Sequence, residues 1–126
     1  MRRVDITDEM WARAKRDLLD AMKREVLNGR FPCYSEIAPR VSSFPLSHRS
    51  SHLSDMLDEI AVEHLSSEGC LVTAVVVRKG KYRTQPGRRF FALAAHIGMY
   101  SARSKQTPGD FARQQRECAL EYLRGL

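Results

Sequence analysis

The sequence predicts a helix-dominated α+β domain, and three observations carry that expectation. Apolar residues recur at helical spacing in several long stretches. A nearly unbroken apolar, β-branched run from Cys70 to Val77 stands between Gly69 and Gly80. The turn that follows it is crowded with lysine and arginine. At 126 residues, with 43% apolar and 29% charged side chains, the chain suits one domain (1–126) that buries its core without help from metal or disulfide.

The first helix is predicted from Asp8 to Leu27, where Trp11, Ala14, Leu18, Met22 and Val26 share one face. Thr7 caps it, Asp8 and Glu9 complement the positive end of its dipole, and Asn28-Gly29 stops it. A short second helix is expected from Ser35 to Val41, capped by Ser35 and limited by Pro39, which donates no amide hydrogen bond. After a loop from Ser42 to Ser50, a third helix places Leu53, Met56, Leu57, Ile60, Ala61, His64 and Leu65 on one apolar face and ends near Gly69. His64 on that face reads as a hydrogen-bonded core residue.

The run from Cys70 to Val77 is short and β-branched and reads as a strand, turning at Lys79-Gly80 and returning through Tyr82 to Thr84. Beyond Pro86-Gly87, Phe90, Phe91, Ala94 and Ile97 fit a helix closed by Gly98, with a third strand over Arg89 to Leu93 as the alternative. A polar linker leads to a last helix, Pro108 to Leu123, capped by Thr107 and burying Phe111, Cys118 and Tyr122. It packs either on the first helix or on a second subunit. Three helices followed by a two-stranded hairpin is the arrangement of a winged-helix domain. The expected architecture is thus a winged-helix-like core over 1–100 with an additional C-terminal helix over 107–125.

Composition narrows the partners. The formal charge of +6 and pI near 9.6 favour polyanions. No apolar run is long enough to span a bilayer and acidic residues stand where a signal peptide would be apolar, so a cytoplasmic protein without membrane contact is expected. Cys33, Cys70 and Cys118 are odd in number and far apart, which reads as three reduced thiols, Cys70 and Cys118 in the core.

Two resemblances bear on the fold. Tyr34-Ser35-Glu36-Ile37-Ala38 resembles the opening of the helix-turn-helix in the winged-helix domain of alkylguanine-DNA alkyltransferases. The Pro-Cys-His-Arg active site of those enzymes is absent, and Cys70-Leu71-Val72 stands in its place, which disfavours alkyl transfer. From Tyr34 to Gly98, Leu53…Leu57…Glu59-Ile60, the run Leu71 to Val77 and Pro86-Gly87-x-x-Phe90-Phe91 are similar to a group of small uncharacterised bacterial and phage-associated proteins. Arg89 stands where that group commonly has glycine. This resemblance implies a shared fold and no activity.

Arg78, Lys79, Lys81, Arg83, Arg88 and Arg89 form a run without an intervening acid, with Tyr82 among them. Against phosphates such a cluster gains by counterion release, and a solvated turn that protects a strand edge is the alternative role. The third helix carries Asp55, Asp58, Glu59, Glu63 and Glu68 outward, so only its start, with His48, Arg49, Ser51 and His52, suits contact with DNA. Arg40 is a further phosphate contact, with Arg2, Arg3 and Arg30 outlying. His48, His52 and Asp55 lack the ligand set of a metal site. No carboxylate precedes Lys79 by two residues, as metal-dependent nuclease chemistry would want, and no phosphate loop or nucleophile elbow is present. Neither a catalytic residue nor a cofactor is expected. The sequence therefore points to a duplex DNA-binding protein, a bacterial or phage regulator working as a possible homodimer. The alternative is a protein-interaction module of the immunity, antitoxin or adaptor kind, using the acidic third helix or the terminal helices.

Overall fold

A computed structural model of the chain describes residues 6–65, 69–78, 85–101 and 105–126. The first helix, α1 (Asp8–Leu27), matches its predicted bounds. Thr7 Oγ1 accepts the Met10 amide at 3.0 Å, and Gly29 takes the left-handed stop with φ 76°. The side chains of Trp11, Ala14, Leu18, Ala21, Met22 and Val26 are buried along one face.

The second helix is shorter and starts earlier than its sequence suggests. α2 (Tyr34–Ile37) is followed by a 3-10 turn, Ala38–Arg40. Cys33, not Ser35, is the N-cap, because Glu36 Oε1 reaches back to accept the Cys33 amide at 2.7 Å. Pro39 then leaves the chain without the amide that α-helical continuation needs. α3 (Ser51–Glu63) is capped by Ser50, whose Oγ accepts from the His52 amide at 3.0 Å. It ends sooner than the apolar pattern implied: Leu65 lies past the helix and is 41% exposed, and Glu68 falls outside the described residues.

The expected strand is the main correction. Residues 70–77 are all buried, as an almost wholly apolar run should be, but Val72–Val75 form a 3-10 turn. The only β-type pairing among the described residues is an isolated parallel bridge between Cys33 and Val77, with the Val77 amide donating to the Pro32 carbonyl at 2.9 Å. The described residues therefore contain neither strand nor sheet, and a winged-helix or α+β class does not describe them; the chain is all-helical there. The turn Lys79-Gly80 and the return Tyr82–Thr84 lie outside the described residues. The run is enclosed by helices on several sides, and its amides find local acceptors: Ala74 donates to Leu71, Val76 to Thr73, and Leu71 to Gln115 Oε1 at 2.9 Å. Burial without a neighbouring strand is what apolarity alone could not distinguish from burial within a sheet.

α4 (Arg88–His96) is a helix, which removes the alternative of a third strand there. α5 (Pro108–Arg124) begins at the predicted cap, Thr107 Oγ1 accepting from the Asp110 amide at 3.1 Å. It packs chiefly on the 3-10 turn at 72–75 and secondly on α1 of the same chain. Its buried residues are Phe111, Ala112, Ala119 and Leu123, while Cys118 and Tyr122 are half-buried. Tyr122 Oη lies 2.8 Å from His64 Nδ1, so His64 sits half-buried and hydrogen-bonded at the C-terminus of α3. Cys70 and Cys118 are joined as a disulfide, with Cα atoms 5.7 Å apart, in place of the two separate thiols that their spacing suggested. Cys33 is buried and stands outside that disulfide.

Two apolar clusters result. The larger joins α1 and α3 to Val72, Val75 and Val76 and to Ala119 and Leu123 of α5. The smaller gathers Ala61, Leu71, Ala74, Phe90, Ala94, Phe111 and Ala112. No helix of the described residues is long and apolar enough to cross a membrane.

Phe111 is 3% exposed and meets Tyr100 and Phe90 with ring centroids 4.9 and 6.0 Å away. Phe111→Ala is expected to lower stability by about 3–5 kcal/mol, read from the urea midpoint with an unchanged slope. A loss below ~1 kcal/mol would mean that the smaller cluster is not packed as described.

Candidate functional site

A cleft of about 210 Å³ opens where α2, α3, α4 and the 72–75 turn meet. Tyr34 lines it from α2, His48 from the loop before α3, and Leu53, Ser54, Leu57 and Asp58 from α3. Thr73 lies at its base, and Gly87, Arg88, Arg89 and Phe90 bring in the start of α4. Thr73 is 6% exposed, and among the described residues it is the one buried polar side chain in an otherwise apolar core.

The cleft is held by two different contacts between α4 and its neighbours. Tyr34 Oη accepts the Gly87 amide at 2.7 Å. A Cβ at Gly87 would stand 3.2 Å from that oxygen, so the close approach favours glycine. Burial raises the Tyr34 phenol above its ordinary value, an effect only partly offset by the Gly87 hydrogen bond and the nearby Arg78 charge. The second contact is ionic: Arg89 Nη2 donates to Asp58 at 2.8 Å and to Asp55 at 3.2 Å. Its hydrogen bond to Asp58 raises the Arg89 guanidinium further, against the opposing effect of partial burial. With Arg89 53% exposed, these pairs contribute modestly to stability and chiefly set the position of α4.

The acidic face of α3 is therefore engaged within the chain. Asp55 and Asp58 hold Arg89, while Glu59 and Glu63 hold Lys15 of α1 at 3.1 and 2.5 Å. Glu59 Oε1 also accepts from the Trp11 indole at 2.9 Å. Partial burial pulls the Lys15 ammonium down, but the hydrogen bonds and charges of Glu63 and Glu59 outweigh it and the net shift is upward.

The residues singled out in the sequence separate into groups. His48, Arg88 and Arg89 come together on the cleft, although 40 positions divide the first two. Arg78 is exposed and does not line the cleft; its amide donates to the Gln85 carbonyl at 2.8 Å, which ties the two ends of the segment between them. Lys79, Lys81, Tyr82 and Arg83 lie between those ends, outside the described residues, as do Arg2 and Arg3 near the N-terminus. Ser51 and Arg49 are exposed at the start of α3. His52 turns the other way, packing edge-on against Trp11 and Phe44 at 5.8 and 6.4 Å. Arg40 stands apart, in a shallow groove with Asp17, Asp20 and Arg24, and Arg30 pairs with Glu36 at 3.1 Å. No group of three or more His, Cys, Asp or Glu among the described residues is placed to hold a metal.

Tyr34, Ser54 and Thr73 were not candidates from the sequence. Thr73 carried a visible signal, as the single hydroxyl within the apolar run from 70 to 77. Tyr34 and Ser54 carried none until α2, α3 and α4 were placed side by side. Comparisons with protein-family models, with curated proteins and with solved structures find no match to this chain.

Tyr34→Phe removes the acceptor of a part-buried amide and is expected to cost about 1–3 kcal/mol at neutral pH. Because the folded phenol titrates above its ordinary value of 10.0, the stability tied to its protonated form is complete below that value. It is lost as pH rises from there through the folded value. Urea midpoints should therefore fall more steeply with alkaline pH in the unaltered protein than in Tyr34→Phe; equal slopes would contradict the burial of the phenol.

Proposed function

We propose that the protein binds duplex DNA through the basic rim of this cleft, by contacts to phosphate that carry little sequence selectivity. The supporting observation is the convergence of His48 and Arg88 on one cleft beside the tied ends of the segment that holds Lys79, Lys81 and Arg83. α4 adds to the same field: Gly87 offers no side-chain cap and the first turn contains no acid, so the positive end of the dipole stands at the cleft without a carboxylate of its own turn. Phosphate contacts position a protein on DNA, whereas selectivity needs side chains at base edges. His52, one of the few side chains that the sequence offered for that purpose, packs on Trp11 and Phe44 instead.

The two adjacent arginines should differ. Arg88 is exposed, while Arg89 is committed to Asp55 and Asp58, whose two carboxylates more than offset its single charge toward a phosphate. In anisotropy titrations of a labelled duplex, affinity should fall steeply with salt. Replacing Lys79, Lys81 and Arg83 together by Ala should flatten the log–log slope by up to about 0.9 for each phosphate that is no longer neutralised. Arg88→Ala should weaken binding more than Arg89→Ala does. Absence of binding at low salt removes the proposal, and equal effects of the two arginines would move the DNA away from the rim.

A further inference from the structure

We propose that Cys118 is a thiol-exchange site for small disulfides such as oxidised glutathione, with Cys70 as its resolving cysteine. The two sulfurs are joined across 48 residues of sequence, and their Cα separation of 5.7 Å lies in the range of roughly 4.4–6.8 Å that disulfides adopt. Access to them is unequal: Cys70 is fully buried at the start of the enclosed run, whereas Cys118 is half-buried on α5. The hydrogen bond from the Leu71 amide to Gln115 Oε1 holds the same two segments in register without using either sulfur, so the pair stays aligned when reduced.

The exchange balances. The Cys118 thiolate attacks oxidised glutathione, forming a mixed disulfide and releasing one glutathione thiolate. The Cys70 thiolate then attacks Cys118 Sγ, forming the internal disulfide and expelling the second glutathione. Two protein thiols are oxidised, one glutathione disulfide is reduced to two thiols, and the two protein protons end on those thiols. Cys33 is 2% exposed and takes no part.

The test uses the full chain, reduced and then freed of reductant. With oxidised glutathione under native conditions, intact mass should show the loss of two hydrogens and no adduct, and Tm should rise by at least about 5 °C. Cys70→Ser should end with one glutathione on Cys118, and Cys118→Ser should take none. Alkylation of the folded, reduced protein reads the same order without a mutation, with Cys118 modified before Cys70 and Cys33. The inference is overturned if Cys70 or Cys33 is alkylated as fast as Cys118, if Cys70→Ser yields no adduct, or if the unaltered protein keeps both thiols.

Discussion

The constraint on which the rest of this structure depends is the complete burial of residues 70–77 among helices, with no strand among the described residues beside them. A buried backbone must satisfy its donors and acceptors, and failure costs about as much as a lost hydrogen bond for each group. The run meets that demand by coiling into a 3-10 turn, by borrowing Gln115 from α5 and by a single bridge to the chain ahead of α2. Each solution fixes a neighbour. α5 is set against the turn, and Pro32 and Cys33 are set against its far end, which in turn aligns α2.

The cleft is a consequence of that arrangement. Thr73 is at its base because the 3-10 turn faces the space between α3 and α4 at that residue. Tyr34 reaches the start of α4 because α2 is anchored through Cys33 to Val77, and the Gly87 amide is then capped from outside its own helix. The chain leaves the core at Arg78 and returns at Gln85, joined by one backbone hydrogen bond, so the basic segment is attached beside the cleft by its two ends. A mutation that loosened the 72–75 turn would thus be felt at the cleft without touching a lining residue.

The caps of the first and last helices and the faces of the long helices were legible in the sequence because they depend on local chemistry: Thr7 and Thr107 accept the amides available to them, and the apolar stripes of α1 and α3 face inward. The run from 70 to 77 misled because its composition reports burial and β-branching while the decisive term was which elements surround it. The cysteines misled for a related reason, since 48 residues of separation say nothing about two segments that α5 brings together. Of the site, the sequence supplied the cations and the cleft supplied their grouping. Tyr34 and Ser54 were hidden because their role exists only between helices that are distant in the chain.

Charge pairing explains why the two readings of the surface are unequal. The sequence presents a basic run and an acidic helix as separate patches, each open to a partner. In the structure, Arg89 crosses from the first to the second, and Lys15 covers the remaining carboxylates from the other side. Each such pair is weak as a source of stability at an exposed site. Its effect on the outer field is larger, because a carboxylate within 3 Å of a guanidinium presents little net charge to a partner a Debye length of about 8 Å away. Two cations against four carboxylates reduce the negative field of α3 and do not abolish it. Arg88, exposed on the cleft beside Arg89, has no such place between two carboxylates of α3.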